Sequence, residues 1–168
     1  LLKGTLMSSE ISKSKPAIHW IGSGLASGPG IVSLTNKWSM ITVWDMMLDR
    51  ANSLKEHVAD GNTLNPRTLN LGDEASLKEF HGALNKGDIV ISMLPAAFHV
   101  QVANIALDEE CHLVTSSYLN DEMNALNDAA VSKGLSFVNE VGLDPGIDHL
   151  LTHILVDEAR NAGVLGKG

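Results

Sequence analysis

At 168 residues, with 44% hydrophobic and 19% charged residues and a mean hydropathy of +0.06, the chain holds enough apolar material for one core of ordinary domain size. A formal net charge of −8, with its twelve Lys and Arg scattered, disfavours nucleic acid and membrane surfaces as partners. Cys111 is the only cysteine and no run of about 18 apolar residues marks a membrane span, so disulfide-stapled and membrane-spanning classes are set aside and a cytoplasmic protein is expected.

The opening residues, "LLKGTL", precede Met7, a natural start, and the stretch 1–15 is read as a tail or gene-boundary remnant. From there short β-rich runs alternate with segments of helical period, the pattern of a parallel sheet with crossover helices. Strands are predicted at Ala17–Ile21, Met40–Trp44, Thr68–Leu71, Asp88–Met93, His112–Ser116 and Ser136–Asn139. Helices are predicted at Gly28–Thr35, Met47–His57, Glu74–Leu84, Ala97–Asp108 and Asp121–Lys133, with a last one from Pro145 to about Asn161. Six strands in βα succession make a doubly wound α/β unit of the Rossmann dinucleotide-binding type, here assigned to 16–162, with 163–168 as a connection onward.

The first strand runs into "GSGLASGPG", where such a fold receives a pyrophosphate. Gly22 permits the tight turn and Gly24 lets backbone N–H groups approach phosphate, but the third small residue is displaced to Ser27, with Gly28 and Gly30 beyond, so the fingerprint is loose. Two readings stand for the loop: a cofactor cradle, or a turn that needs glycine only to bend. Asp45 lies 21 residues past Gly24, close to the spacing of about 20 at which an acidic side chain meets an adenosine ribose. Met46 and Met47 follow it rather than an arginine, so NAD is expected over NADP; a helix-capping role for Asp45 stays open beside this.

The carboxyl ends of the fourth and fifth strands carry "SMLPAAFHV" and "TSSYLN". Ser92, Pro95, Ser116, Ser117 and Tyr118 are expected to rim one crevice, with His99 near it in an undefined role. The expected cofactor contacts are therefore Gly22, Ser23, Gly24, Leu25, Ala26, Asp45, Ser92, Leu94, Pro95, Ser116 and Ser117. His149 and His153 stand i, i+4 near Asp144 and Asp148 but lack the H-E-x-x-H glutamate, and no metal is expected. After the sixth strand, "NEVGLDPGIDHLL" crowds Asn139, Glu140, Asp144 and Asp148 around one turn. Asp144 before Pro145 reads as an N-cap followed by a proline in the first helical turn, or as a residue with a chemical task.

With "GSG" and Pro29 after it, "DIVISMLPAAFHVQVA", "LVTSSYL" and "NEVGLDPGIDHLL", the chain from His19 onward resembles the saccharopine dehydrogenase family, the glutamate-forming saccharopine reductases. The resemblance implies an NAD(P)-dependent oxidoreductase of lysine metabolism acting on a CH–NH bond, between saccharopine and glutamate plus aminoadipate semialdehyde, or on a related secondary amine. It places Tyr118 and Asp144 as catalytic residues at the substrate end, Ser116 and Ser117 near cofactor and substrate, and Asp148 and His149 in supporting positions. Many relatives carry an arginine after the second strand where Met46 stands here, and a larger residue at Gly28. The family's second, substrate-binding domain is expected to lie outside these residues. Arg160 is the only arginine after Arg67, so these residues alone are expected to bind cofactor without turning over an amino-acid substrate. The alternative is a catalytically silent NAD-binding module. Leu150, Leu151, Ile154 and Leu155 exceed one core-facing stripe, which makes a homodimer conceivable.

Overall fold

A computed structural model describes residues 15–166; the N-terminal tail through residue 14 and the last two residues of the expected connection, 167–168, lie outside them, as does Met7. Six parallel strands form one sheet in the order β3-β2-β1-β4-β5-β6. They are β1 (Ile18–Ile21), β2 (Met40–Asp45), β3 (Thr63–Thr68), β4 (Ile89–Ser92), β5 (His112–Thr115) and β6 (Phe137–Val138). The crossovers carry α1 (Gly28–Trp38), α2 (Leu48–Ser53), α3 (Glu74–Ala83), α4 (His99–Asp108), α5 (Asp121–Asn124) and α6 (Asn127–Ser132), and α7 (Ile147–Asn161) follows β6. The order reverses between β1 and β4, which places a crevice at their carboxyl ends.

The central strands are buried on both faces, and successive side chains feed two separate cores. Ile18 and Trp20 of β1, with Ile41 and Val43 of β2, pack beneath α1 and α2 around Ile31 and Ala51. Ile21 and Trp44 point to the opposite side, against Phe80, Val90, Val102 and Leu113. Trp44 and Phe80 meet edge to face with centroids 5.0 Å apart, and both are fully buried. His19 joins them: its Nδ1 accepts the Trp44 indole N–H at 3.1 Å, while Nε2 lies 3.4 Å from Asp88 without a hydrogen bond. The Asp88 carboxylate instead takes the N–H groups of Ala17 and Asn85, tying the entry of β1 to that of β4.

Four expectations need correction. The third strand is Thr63–Thr68 rather than Thr68–Leu71; Pro66 argues against a strand in sequence, but β3 lies at the sheet edge, where a missing N–H is tolerated. The segment 121–133 breaks into α5 and α6 because Leu126 bonds back to Met123, tightening the turn between them. The helix expected over Met47–His57 ends at Ser53 and continues as a 3₁₀ turn, Leu54–His57. Finally, α7 starts at Ile147 with Gly146 at its N-cap, so Asp144 and Pro145 lie outside the helix and do not cap it.

Replacement of Phe80 by Ala should lower stability by about 3–5 kcal/mol in denaturant melts, whereas Leu150→Ala, on an exposed face of α7, should stay within about 0.5 kcal/mol. A second expectation concerns pH. Burial holds the His19 imidazole below its ordinary pKa, and the neighbouring Asp88 offsets this only in part. An unfolded histidine titrates near about 6.5, so below that pH the unfolded chain takes up a proton that folded His19 resists. Stability should therefore start to fall as pH drops through about 6.5 and level off below the depressed folded pKa. Melts at a series of pH values check the slope, and His19→Gln should remove part of it.

Candidate dinucleotide site

The crevice at the carboxyl ends of β1 and β4 is a cleft of about 480 Å³ lined by Gly22, Ser23, Gly24, Asp45, Met47, Asp49, Arg50, Met93, Leu94 and Pro95. Gly22 has φ +95°, and a Cβ there would come within 2.9 Å of the Met93 carbonyl oxygen, so the turn out of β1 requires glycine. A Cβ on Gly24 would meet nothing within 4 Å, so its lack of side chain keeps the backbone open toward the cleft. Gly30 fills the third role of the displaced fingerprint. A Cβ at that position would lie 2.9 Å from the Trp20 ring, and glycine lets α1 approach β1 closely.

Asp45 closes the loop. Its Oδ2 accepts both the N–H (2.6 Å) and the hydroxyl (2.7 Å) of Ser23, and its Oδ1 accepts the Met47 N–H at 2.9 Å. Burial pulls the Asp45 pKa up, but the hydrogen bonds from Met47, Ser23 and Met46 outweigh it and hold the carboxyl below its ordinary range. The carboxylate therefore clamps the glycine turn to the end of β2, and one of its bonds also steadies the entry to α2. The expectation that no arginine accompanies it is corrected by the fold: Arg50, one turn into α2, lines the same cleft. The other two arginines are paired elsewhere, Arg67 with Glu79 and Arg160 with Asp157.

Of the remaining expected contacts, Leu94 and Pro95 wall the cleft. Ala26 is exposed on the turn, and Leu25, 87% exposed, lines a different shallow groove with Pro29, Val32 and Leu54. Ser92 does not rim the crevice: it is fully buried, and its hydroxyl reaches Nδ1 of His99 at 2.9 Å. His99 is also buried, and its Nε2 lies 2.7 Å from the Ser117 hydroxyl. Thr115 stands 3.3 Å from each ring nitrogen. Desolvation keeps this imidazole below its ordinary pKa, hence neutral. Arg50 and Thr115 were not among the residues expected at this edge, and His99, expected near the crevice with no role assigned, proves to be the buried link between Ser92 and Ser117; a histidine between two hydroxyl-bearing strand ends was the available signal.

The segment after β6 is folded back onto β5. Glu140 N–H donates to the Ser117 carbonyl, Val141 N–H to that of Thr115, and the Glu140 carboxylate accepts the Leu119 N–H. Gly142 leaves no room for a side chain, since a Cβ would be 2.8 Å from that of Ser116. Gly146 has φ +144°, and its N–H is held by Asp148 at 2.8 Å. This ring of contacts presents Asp144 to Tyr118, whose hydroxyl donates to Oδ1 at 2.5 Å. The hydrogen bond to Asp144, helped by desolvation and the acidic neighbours Asp148 and Glu140, pushes the phenol above its ordinary pKa. Tyr118 thus keeps its proton and acts as a donor. Among the described residues no cluster of three His, Cys, Asp or Glu is placed to share a metal ion, and no helix is long and apolar enough to cross a membrane.

Comparison with known proteins converges on one family. The family model described as "Saccharopine dehydrogenase NADP binding domain" matches residues 18–138. A saccharopine dehydrogenase [NADP(+), L-glutamate-forming] of Pyricularia oryzae is 36% identical over 147 residues, covering 88% of this chain and 31% of that protein. A mitochondrial alpha-aminoadipic semialdehyde synthase of Mus musculus is 31% identical, over 89% of this chain and 16% of its own length. The solved apo structure of saccharopine dehydrogenase (L-Glu forming) from Saccharomyces cerevisiae matches with a TM-score of 0.68 at 30% identity, covering 88% of this chain and 32% of that one. A shikimate 5-dehydrogenase from Mycobacterium fortuitum, at a TM-score of 0.53 and 16% identity, shares the fold alone. The chain spans about a third or less of the length of these saccharopine relatives. With a family model matched over residues 18–138, most of its length, the chain belongs to the saccharopine dehydrogenase NADP-binding domain family.

Proposed function

We propose that this chain is the cofactor-holding part of an NADP(H)-dependent oxidoreductase that acts on the CH–NH bond of saccharopine or a closely related secondary amine of amino acids. The observation that carries the reading is the alignment of three features along one sheet edge: the open glycine turn at Gly22–Gly24, Arg50 at one end of the cleft, and the Tyr118–Asp144 pair after β5 and β6. The relatives named for saccharopine and glutamate supply the substrate class.

The residues fit a dinucleotide. Gly24 leaves space for the pyrophosphate beside backbone N–H groups at the start of α1, and Leu94 and Pro95 give an apolar wall. When bound, the nicotinamide supplies the hydride acceptor or donor. Asp45 has both oxygens engaged by the loop and the entry to α2, which commits its lone pairs to shaping the turn rather than to accepting ribose hydroxyls, while its charge by itself would disfavour a 2′-phosphate. Arg50 is the cation that would face such a phosphate, as a planar donor fork does well. NADP(H) is thus favoured over the NAD expected from the spacing of Asp45 alone.

At the other end, Tyr118 donates to Asp144, so the pair combines a hydroxyl with a proton to give and a carboxylate able to take one. An amine substrate needs both: a charged or hydrogen-bonding partner to hold the nitrogen and a group to accept its proton. Asp144 does not cap α7, so the structural role that competed with this one at the sequence level has gone.

Titration calorimetry should show NADPH binding more tightly than NADH. Arg50→Ala should weaken NADPH about 10-fold or more, the worth of a charge-assisted contact, while leaving NADH within about 2-fold. Equal or tighter binding of NADH by the unaltered protein would return the preference to NAD. In the full-length protein, Asp144→Asn should lower kcat/KM for saccharopine by about 10²-fold with near-normal stability; full activity in that variant would remove Asp144 from the chemistry.

A further inference from the structure

We infer that His99 is a positioning residue: the buried Ser92 fixes its tautomer, and the imidazole thereby holds Ser117 with its hydroxyl hydrogen turned into the crevice, as a donor to the nicotinamide half of the dinucleotide. The inference rests on the cofactor reading above and assigns a specific part of it.

The argument is one of hydrogen-bond accounting. Ser92 is fully buried, and among the described residues its hydroxyl has one partner, Nδ1 of His99 at 2.9 Å. A neutral imidazole carries one N–H and one acceptor nitrogen. If Nδ1 carried the hydrogen, it would donate to Ser92, and the Ser92 hydrogen would have nowhere to go in a site closed to water. If Nδ1 is the acceptor, Ser92 donates to it and both groups are satisfied. Thr115 does not choose between the two forms: it is 1% exposed, accepts the Ser117 N–H at 3.3 Å, and its hydroxyl stands 3.3 Å from both ring nitrogens.

The consequence appears on the other side of the ring. Nε2 must then carry the hydrogen and donate it to Ser117 Oγ at 2.7 Å. Having accepted that bond, the Ser117 hydroxyl keeps its own hydrogen free. Ser117 is only half-buried and follows β5, whose carboxyl end lies on the same edge of the sheet as the cleft, so its free hydrogen is available to a ligand at that edge. A serine without this support turns freely and is equally ready to accept. The relay makes it a donor, matched to a carbonyl or ribose oxygen of the cofactor, while the Glu140 N–H on its carbonyl and its own N–H on Thr115 fix its backbone.

The tautomer is read directly from long-range proton–nitrogen correlations of the ¹⁵N-histidine-labelled protein, with His99→Gln identifying the signal. The Nε2–H form is expected; the Nδ1–H form overturns the relay. Calorimetry with NADPH then tests its use. Ser117→Ala and Ser92→Ala should each weaken binding about 3- to 10-fold, the loss of one hydrogen bond, and the double variant should lose no more than Ser117→Ala alone. Additive losses, or an unchanged affinity in Ser92→Ala while its melting curve stays native, would show that Ser92 does not act through Ser117. Failure of the unaltered protein to bind either dinucleotide would overturn the cofactor reading itself and the donor role with it, whatever the tautomer.

Discussion

Parallel pairing of β1 with both β2 and β4 is the constraint on which the rest of the molecule depends. Parallel neighbours cannot be joined by a hairpin, so every connection must cross the sheet, and right-handed crossovers put helices on both faces. All six strands consequently end on the same edge. Residues far apart in sequence, from Gly22 to Asp144, arrive along one line without any of them needing to be close in the chain. Where the order reverses between β1 and β4, the flanking crossovers turn away from each other and leave the cleft between them.

Burial decides how the polar groups near that edge behave. Asp45 stays ionised because donors reach both of its oxygens, and its charge becomes a clamp on the glycine turn. His19 and His99 are driven the other way: desolvation holds each ring below its ordinary pKa and hence neutral, in His19 by outweighing the nearby Asp88 carboxylate. A neutral histidine has a direction, one nitrogen donating and the other accepting. In His19 that direction is consumed by Trp44 within the core, whereas in His99 it links a buried serine to one at the crevice. Cys111 is a third case. Burial and the nearby Asp88 and Glu109 carboxylates push its thiol up to about 12, which removes it as a nucleophile.

The junction after β6 shows how backbone contacts can present a side chain. Glycines at 142 and 146 allow the chain to close on itself, and the bonds from Glu140 and Val141 pin the ring to the extension of β5. Asp144 is held at its apex, where it receives the Tyr118 hydroxyl. Beyond it α7 buries none of its residues against the rest of the described chain, although Ile147, Leu150, Leu151, Ile154 and Leu155 are apolar. Its amphipathic pattern is therefore not explained by the core beneath the sheet.

The alternation of apolar runs with helical periods determined, by itself, the α/β class, the number of strands and the location of the glycine turn, because those depend on local periodicity and on glycine's freedom at one bend. The family motifs also marked Tyr118 and Asp144. Three things lay beyond such reading. The edge strand β3 contains Pro66, whose acceptability depends on which neighbour is missing. The roles of Asp45 and Arg50 depend on α2 folding back over the end of β2, and the spacing along the chain concealed that they share a cleft. The inward turn of Ser92 toward His99 depends on how α4 packs on β4 and β5. Hydrogen-bond partners are settled by which groups lose water together, and that is a property of the packed tertiary structure rather than of any local pattern.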